Sequence, residues 1–469
     1  MTVRIARDLV SVSFVLAAAA PAVGAQPALS PGDSAHRAIY RELVEIDSSP
    51  AGGREPEAAA AVGERLRRAG FPAEAVVVDG PTPGCRNVVA TLAGRNRETP
   101  PLLMLAHLDV VDARREDWAH DPFVLREADG YFFGRGTLVN KAGASVLVAN
   151  MVQWKRDGFV PARDVVMVLT CDEETTAEQG MQWVLQHDPH LRTAEYALNT
   201  DAGGVTRTAG GRYVVNAQAA EKVYATFTIT ATNPGGHSSV PRADNAIYAL
   251  AAALQRLAAY HFPVGYNDVT RESFARRAPL ESGPHAGDLA AAGRGDASGP
   301  AIDRLSAVPH ENAQIRTTCV ATMLSGGHAE NALPQSAAAT VNCRILPGEP
   351  VASIQRQLTA IVDDPTLAVA LTYQPVASPP SPLRPDVMRV VERLSAEFWP
   401  GSAVVPGMST GATDGLYLRN AGVPVYGVAA LVLQDDEDFS HGLDERLPVA
   451  SLYQAREFWD RLVRSLTAQ

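Results

Sequence analysis

Short apolar runs that each stop at a histidine or a carboxylate constrain this chain more than any other feature. Leu102-Leu103-Met104-Leu105-Ala106 stops at His107, with Asp109 two residues on. Residues 164–170 read Asp-Val-Val-Met-Val-Leu-Thr and lead into Asp172-Glu173-Glu174. Tyr196-Ala197-Leu198-Asn199 ends at Asp201. Runs this short, apolar without alternation, predict strands buried on both faces. Between and before them lie helical patterns at 35–46, 55–69, 141–154 and 178–187, with Asn140 placed to cap the third. Strands alternating with helices predict an open α/β sheet, in which sites gather at the carboxyl edge of the strands. Three metal-ligand residue types at three strand ends therefore converge on one edge.

The pattern changes after about residue 217. Residues 223–232 alternate like a half-exposed strand. A helix follows at 244–260, then strands at 314–323 and 338–345, a helix at 351–362 and a strand at 367–376. That order predicts a separate, smaller α+β unit of the split βαβ, ferredoxin-like type. The segment 263–309, rich in Gly, Pro, Ala and charge, reads as an insertion or long loop. After Pro379-Pro380-Ser381-Pro382 the α/β character returns, with helices at 385–398 and 451–466 and a strand at 425–428. The division is a leader at 1–25, a catalytic domain at 26–216 and 379–469, and an inserted domain at 217–378.

Arg4 and Arg7 precede an apolar stretch, 9–20, and Val23 and Ala25 suit cleavage before Gln26, so the leader reads as a signal peptide. The expected location is outside the cytoplasm, periplasmic or secreted. No later segment is apolar for long enough to span a bilayer, so no stable membrane association is expected after cleavage. The net charge of −11 argues against nucleic acid as a partner. Four cysteines are too few for a disulfide scaffold; Cys319 and Cys343, on neighbouring predicted strands, are candidates to pair, and Cys171 reads as a buried strand residue.

His107-x-Asp109 offers an imidazole ligand with a carboxylate able to fix its tautomer. Asp172-Glu173-Glu174 places clustered acids at a buried strand end, where like charges need a cation or raised pKa values. Two adjacent glutamates can divide the work, one binding metal and one moving protons. Asp201 and the late His441 complete a set of Zn²⁺-ligand types.

In this order the motifs resemble those of the exopeptidase and deacylase family that includes glutamate carboxypeptidase, aminoacylase, carnosinase-like dipeptidases and succinyl-diaminopimelate desuccinylase. The resemblance rests on His107-Leu108-Asp109, Gly134-Arg135-Gly136 with Lys141, Asp172-Glu173-Glu174, Gly235-Gly236-His237-Ser238-Ser239, Asn331-Ala332-Leu333-Pro334, Arg344, Thr413-Asp414 and His441. It implies a zinc-exopeptidase-like catalytic domain with a central mixed sheet, an inserted lid or dimerisation domain, two Zn²⁺ per chain and a homodimer. It implies that His107 and Asp201 hold one zinc and that Glu174 and His441 hold the other. Glu173 would be the general base and Asp109 the supporting acid. His237 would reach a neighbouring active site to stabilise the oxyanion. Arg344 would hold a substrate carboxylate, and Asn331, Gly411 and Thr413 would line the substrate site. The substrate would be a peptide or an N-acyl amino acid, cleaved by a carboxypeptidase, dipeptidase or deacylase.

The chain departs from that family at two positions, Val139 and, two before Arg344, Asn342, where many members have an acidic residue. The family's bridging aspartate falls five residues after the first glycine of Gly134-Arg135-Gly136, where this chain has Val139. A valine cannot ligate metal, so the second zinc is in doubt and reduced activity is expected. The alternative is an impaired member that acts as a peptide- or metal-binding protein. A serine hydrolase using Ser409 or Ser440 has no Gly-x-Ser-x-Gly elbow behind it.

Overall fold

A computed structural model describes residues 29–175, 180–435 and 437–468. The leader expected at 1–25 and the start of the helix expected at 178–187 lie outside the described residues. No helix among the described residues is long and apolar enough to cross a membrane.

Fourteen strands build the two main sheets: β1 (Val76–Thr82), β2 (Cys85–Leu92), β3 (Leu102–His107), β4 (Val165–Thr170), β5 (Tyr196–Asn199), β6 (Gly204–Arg207), β7 (Tyr213–Glu221), β8 (Val223–Thr232), β9 (Thr318–Gly326), β10 (Ser336–Ile345), β11 (Leu367–Leu371), β12 (Ala403–Ser409), β13 (Val425–Gly427) and β14 (Val432–Gln434). The larger sheet has the order β1-β2-β4-β3-β5-β13-β7-β6-β14, with β12 beside β7. Its centre, β4-β3-β5-β13, is parallel, β2 and β7 join that centre antiparallel, and β12 and β14 pair parallel with β7 and β6, so the sheet is mixed. Every residue of β3, β4 and β5 is buried, as continuous apolar runs require. Helices cover both faces: Tyr40, Leu43, Trp154 and Trp459 pack on one side, Met181, Val184 and Leu418 on the other.

Register positions the site. His107 pairs with Thr170, so β3 and β4 end level, and Leu105 pairs with Asn199, so β5 ends two residues short and Asp201 follows at the level of His107. Their following residues, Asp109, Asp172–Glu174 and Asp201, emerge together at the carboxyl edge.

The smaller sheet runs β9-β10-β8-β11, all antiparallel, with the helices Ala246–Ala259 and Val351–Val362 on one face and a core of its own. This is the strand-helix-strand-strand-helix-strand order read from the sequence. The strand expected at 314–323 begins at Thr318, because Gln314 and Ile315 end a helix.

The segment expected to be a loop, 263–309, is instead mostly helical: Asp268–Arg277, Gly283–Arg294, Pro300–Ala307 and Pro309–Ile315. Asn267 and Thr270 form a reciprocal capping box that starts the first helix. Phe274, Leu289, Leu305 and Ile315 give the segment a small core. It packs on the larger sheet: Gln314 Nε2 donates to the Met408 carbonyl at 3.0 Å and Arg276 Nη1 to that of Val404 at 3.2 Å. Part of the stretch 217–378 thus returns to the sheet that carries the site.

All four cysteines are paired, Cys85 with Cys171 and Cys319 with Cys343. Cys171 is therefore a bridge residue rather than a plain buried strand residue. Its bond anchors the acidic loop to the start of β2. Cys319 and Cys343 face each other across β9 and β10.

Candidate active site

His107 ends β3 with 1% of its surface exposed. Its Nδ1 lies 3.0 Å from the Asp109 carbonyl oxygen and 3.3 Å from Asp109 Oδ1. A proton on Nδ1 satisfies both, so the neutral tautomer carries its lone pair on Nε2. Nε2 is buried without a hydrogen-bond partner and lies 3.3 Å from Asp201 Oδ1. His107, Glu173 and Asp201 each bring one ligand atom into a group whose members lie within 4.8 Å of one another.

Charge makes the same point. Burial works against a charged His107, yet Asp201 and Asp109 hold its pKa well above the usual imidazole value. Burial and the neighbouring Asp201 charge lift the Glu173 carboxyl well above its ordinary range. Burial pushes Asp414 up to about 7, against the hydrogen bond donated by the Thr170 hydroxyl. Raised carboxyl pKa values around a protonated imidazole mark a site where ionising every acid would leave negative charge uncompensated. A divalent cation neutralises such a cluster, and the unpartnered Nε2 gives it a nitrogen ligand. These residues fit one cation.

The second pair expected from the sequence is also close. His441 Nε2 and Glu174 Oε1 are 2.9 Å apart, and the carboxylate raises the His441 pKa. Asp109 separates the two glutamates: its Oδ1 accepts the Glu173 N–H at 3.1 Å and its Oδ2 the Glu174 N–H at 2.9 Å.

Val139 is half-buried against the main core and brings no oxygen to either group. Glu445, fully buried, fixes its loop. One oxygen accepts Arg135 Nη1 at 2.7 Å and the Gly136 N–H at 3.1 Å; the other accepts the N–H groups of Leu138 at 2.7 Å and Val139 at 3.1 Å. Arg135 also donates to the His441 carbonyl at 3.3 Å, linking the two ends of the catalytic sequence. Lys141 of the same motif turns away and donates to the carbonyls of Leu43 at 2.8 Å and Ile46 at 3.3 Å.

Asn140 occupies the N-cap position, but its side chain does not cap the helix. Its amide donates to Asp201 Oδ1 at 3.0 Å and accepts the Thr200 hydroxyl at 3.1 Å. Thr413, expected beside substrate, has its hydroxyl in a buried network: it donates to Glu221 at 3.0 Å and accepts from Asn199 at 3.3 Å. Asn199 in turn accepts the Asp201 N–H at 2.9 Å, so Thr413 acts on the site through that loop. Gly411 donates its N–H to Ser409 Oγ at 3.0 Å and remains partly exposed.

His237 and Asn331 lie together on a short ladder, Gly236–His237 with Ala332–Leu333, and both are exposed. The Asn331 carbonyl accepts the Ser238 N–H at 3.0 Å, and His237 Nδ1 meets Ser239 Oγ at 2.7 Å. Arg344, on β10, lies 4.5 Å over the Tyr224 ring, which stacks on Tyr373. Among the described residues no carboxylate lies within ion-pair distance of Arg344, and partial burial lowers its pKa. Glu445 carried no assigned role in the sequence reading, Asn140 was read only as a helix cap, and Asp414 only as part of the Thr413-Asp414 motif; an acid closing the turn after a buried strand was the available signal for the last. Ser409 and Ser440 hydrogen-bond to Gly411 and Asp438 rather than to a histidine.

A mixed α/β sheet with a histidine–carboxylate cluster at its carboxyl edge and an inserted βαββαβ unit defines a class of metal-dependent hydrolases. The model of "Peptidase family M20/M25/M40" matches residues 103–465, and the chain belongs to that family. It is a hydrolase acting on amide bonds, of a metal-binding peptidase family. The chain is 28% identical over 386 residues to the N-fatty-acyl-amino acid synthase/hydrolase PM20D1 of Xenopus tropicalis, covering 79% of this chain and 73% of that one. Its fold is similar to the M20 metallo-carboxypeptidase Sso-CP2 of Sulfolobus solfataricus, with TM-score 0.69, 16% identity and coverage of 92% and 99%. It is also similar to Bacillus subtilis YXEP, described as a dinuclear metal-binding peptidase, with TM-score 0.58, 13% identity and coverage of 93% and 99%.

Proposed function

We propose that this protein is an exported, zinc-dependent hydrolase that cleaves an amide bond beside a free carboxylate, taking an N-acyl amino acid or a small peptide. The observation that carries the reading is the buried, unpartnered His107 Nε2 aimed at Asp201 with Glu173 alongside. A divalent cation held there supplies Lewis acidity to the scissile carbonyl and acidity to the attacking water.

The chain's own residues do the rest. Asp109 holds His107 in the tautomer that offers Nε2. Asn140 and Asn199 hold the Asp201 loop. Two half-buried acids, Glu173 and Asp414, are the groups able to carry the proton from the attacking water to the leaving amine: desolvation raises both carboxyl pKa values, that of Asp414 to about 7. Arg344 receives the substrate carboxylate with its planar fork, for which no protein acid competes. Its place in the inserted sheet makes that sheet a lid.

His237 and Asn331 make no described contact with the His107 cluster of their own chain, which favours their action across a dimer. β9 supports a dimer: it is an edge strand, and its Val320, Met323 and Leu324 are 61–68% exposed. Both disulfides, and the leader read at 1–25, support an oxidising compartment outside the cytoplasm. Similarity to PM20D1 favours an N-acyl amino acid over a longer peptide.

Val139 supports a second reading, a member that binds metal and peptide with little turnover. Assay of the mature protein, with zinc and after chelation, on N-acyl amino acids and dipeptides separates the two. Zinc-dependent release of free amino acid, lost in His107→Ala, supports hydrolysis. Zinc binding with no release from any substrate supports the binder.

A further inference from the structure

Where a shared carboxylate would join two cations, this chain places a valine that cannot swing aside. The Val139 N–H is bound to Glu445 at 3.1 Å, and its side chain packs against the main core. Asn140, next to it, has both ends of its amide engaged, one on Asp201 and one on Thr200. Positions 139 and 140 therefore add no free oxygen to the cluster.

Glu173 supplies one. Its carboxylate completes the group with the His107 nitrogen and the Asp201 oxygen. Glu174 is held apart from it, because the two oxygens of Asp109 bind the two successive N–H groups and Glu174 reaches His441 instead. His107 is 1% exposed, and its Nε2 has no hydrogen-bond partner and lies 3.3 Å from Asp201 Oδ1. One nitrogen and two carboxylates with a position left open is the ligand count of a hydrolytic zinc site.

We infer that this chain holds one divalent cation tightly, with Glu173 as its third protein ligand in place of a residue at position 139, and that Glu174 and His441 form a hydrogen-bonded pair rather than a second tight site. The inference rests on the metal-hydrolase reading and changes the division of labour within it. With Glu173 on the cation, proton exchange falls to Asp414, the neighbouring half-buried acid. The Glu174–His441 pair then closes the side of the site nearest the Arg135–Glu445 clamp.

The test is zinc binding by the chelated full chain, titrated against a chromophoric competitor, for wild type, Glu173→Gln and Glu174→Gln. Wild type is expected to bind one zinc. Loss of a supporting residue alone costs 10–100-fold in metal affinity, so loss of a direct ligand should cost about 100-fold or more. Glu173→Gln should therefore lose the site, and Glu174→Gln should stay within about threefold of wild type. Adding Val139→Asp to Glu173→Gln should restore binding, which also shows that the loss was not misfolding. Far-UV circular dichroism of the chelated variants checks the same point. Two tight zincs in wild type, both kept by Glu173→Gln and one lost by Glu174→Gln, would overturn the inference. That result would leave the hydrolase reading standing. One zinc lost with Glu173→Gln, but no hydrolysis by wild type, would support the inference and remove the hydrolase reading.

Discussion

Glu445→Gln offers the sharpest test of how the two distant parts of the site are held. The carboxylate is fully buried, and so is its partner Arg135. Its two oxygens take four hydrogen bonds, one from a guanidinium and three from backbone N–H groups of the 136–139 loop. Glutamine keeps one oxygen and replaces the other with an NH₂ group. Whichever way the amide turns, two donors then face a donor, and the Arg135 charge loses its counter-charge. Breaking one side of a buried pair costs about 3–5 kcal/mol. The exposed pair Arg54–Glu57 has the same 2.7 Å separation, but water screens it. Urea unfolding of the chelated protein should show the Glu445→Gln midpoint well below wild type, with the slope unchanged. Glu57→Gln should show no resolvable change. The Glu445 variant should also bind zinc more weakly, since Arg135 no longer steadies the His441 loop. A destabilisation under about 1 kcal/mol would refute the claim that this carboxylate holds the loop.

Three further predictions follow from other parts of the molecule. Burial pushes Glu55 up to about 8, and one of its oxygens has no hydrogen-bond partner, so the folded state keeps a proton that the unfolded state releases near the ordinary carboxyl value of 4.5. The folded state binds more protons in that window, so this group lowers stability as pH rises from about 4.5 to 8 and adds nothing further above it; Glu55→Gln should flatten that part of the stability–pH curve, and an unchanged slope would contradict it. The Cys85–Cys171 bond closes a separation of 86 residues and Cys319–Cys343 one of 24, so chain entropy predicts losses of about 4–5 and about 3–4 kcal/mol for the paired serine variants. Only the first bond anchors the acidic loop, so only its loss should also weaken zinc binding in a competitor titration. Finally, mixing His237→Ala with Glu173→Ala chains should regain activity if His237 serves a partner's site; no recovery would place it in its own.

What the sequence revealed, and what it hid, follows from the range of each interaction. The buried strands and the acids at their ends were legible, because apolar runs and strand ends are local signals. So was the βαββαβ order of the smaller sheet. The helices between 268 and 315 were hidden: alanine, glycine and proline resemble a loop until tertiary contacts with Met408 and Val404 are known. The Cys85–Cys171 bond joins residues far apart in sequence, and nothing local marks it. Asn140 looked like a helix cap because asparagine before a helix ordinarily is one; its bond to Asp201 depends on β3 and β5 being neighbours. Thr413 looked like a substrate contact, but its hydroxyl faces Glu221. Val139 was visible at once, yet its consequence depends on Glu173 lying beside His107 and Asp201, which no spacing discloses.

The account turns on the number of cations this site holds. Zinc per chain, measured by elemental analysis of the mature protein after exhaustive dialysis, tests it most directly. One zinc per chain is the predicted result. Close to two would mean that something other than residue 139 bridges a cation pair, and the single-site account would be wrong.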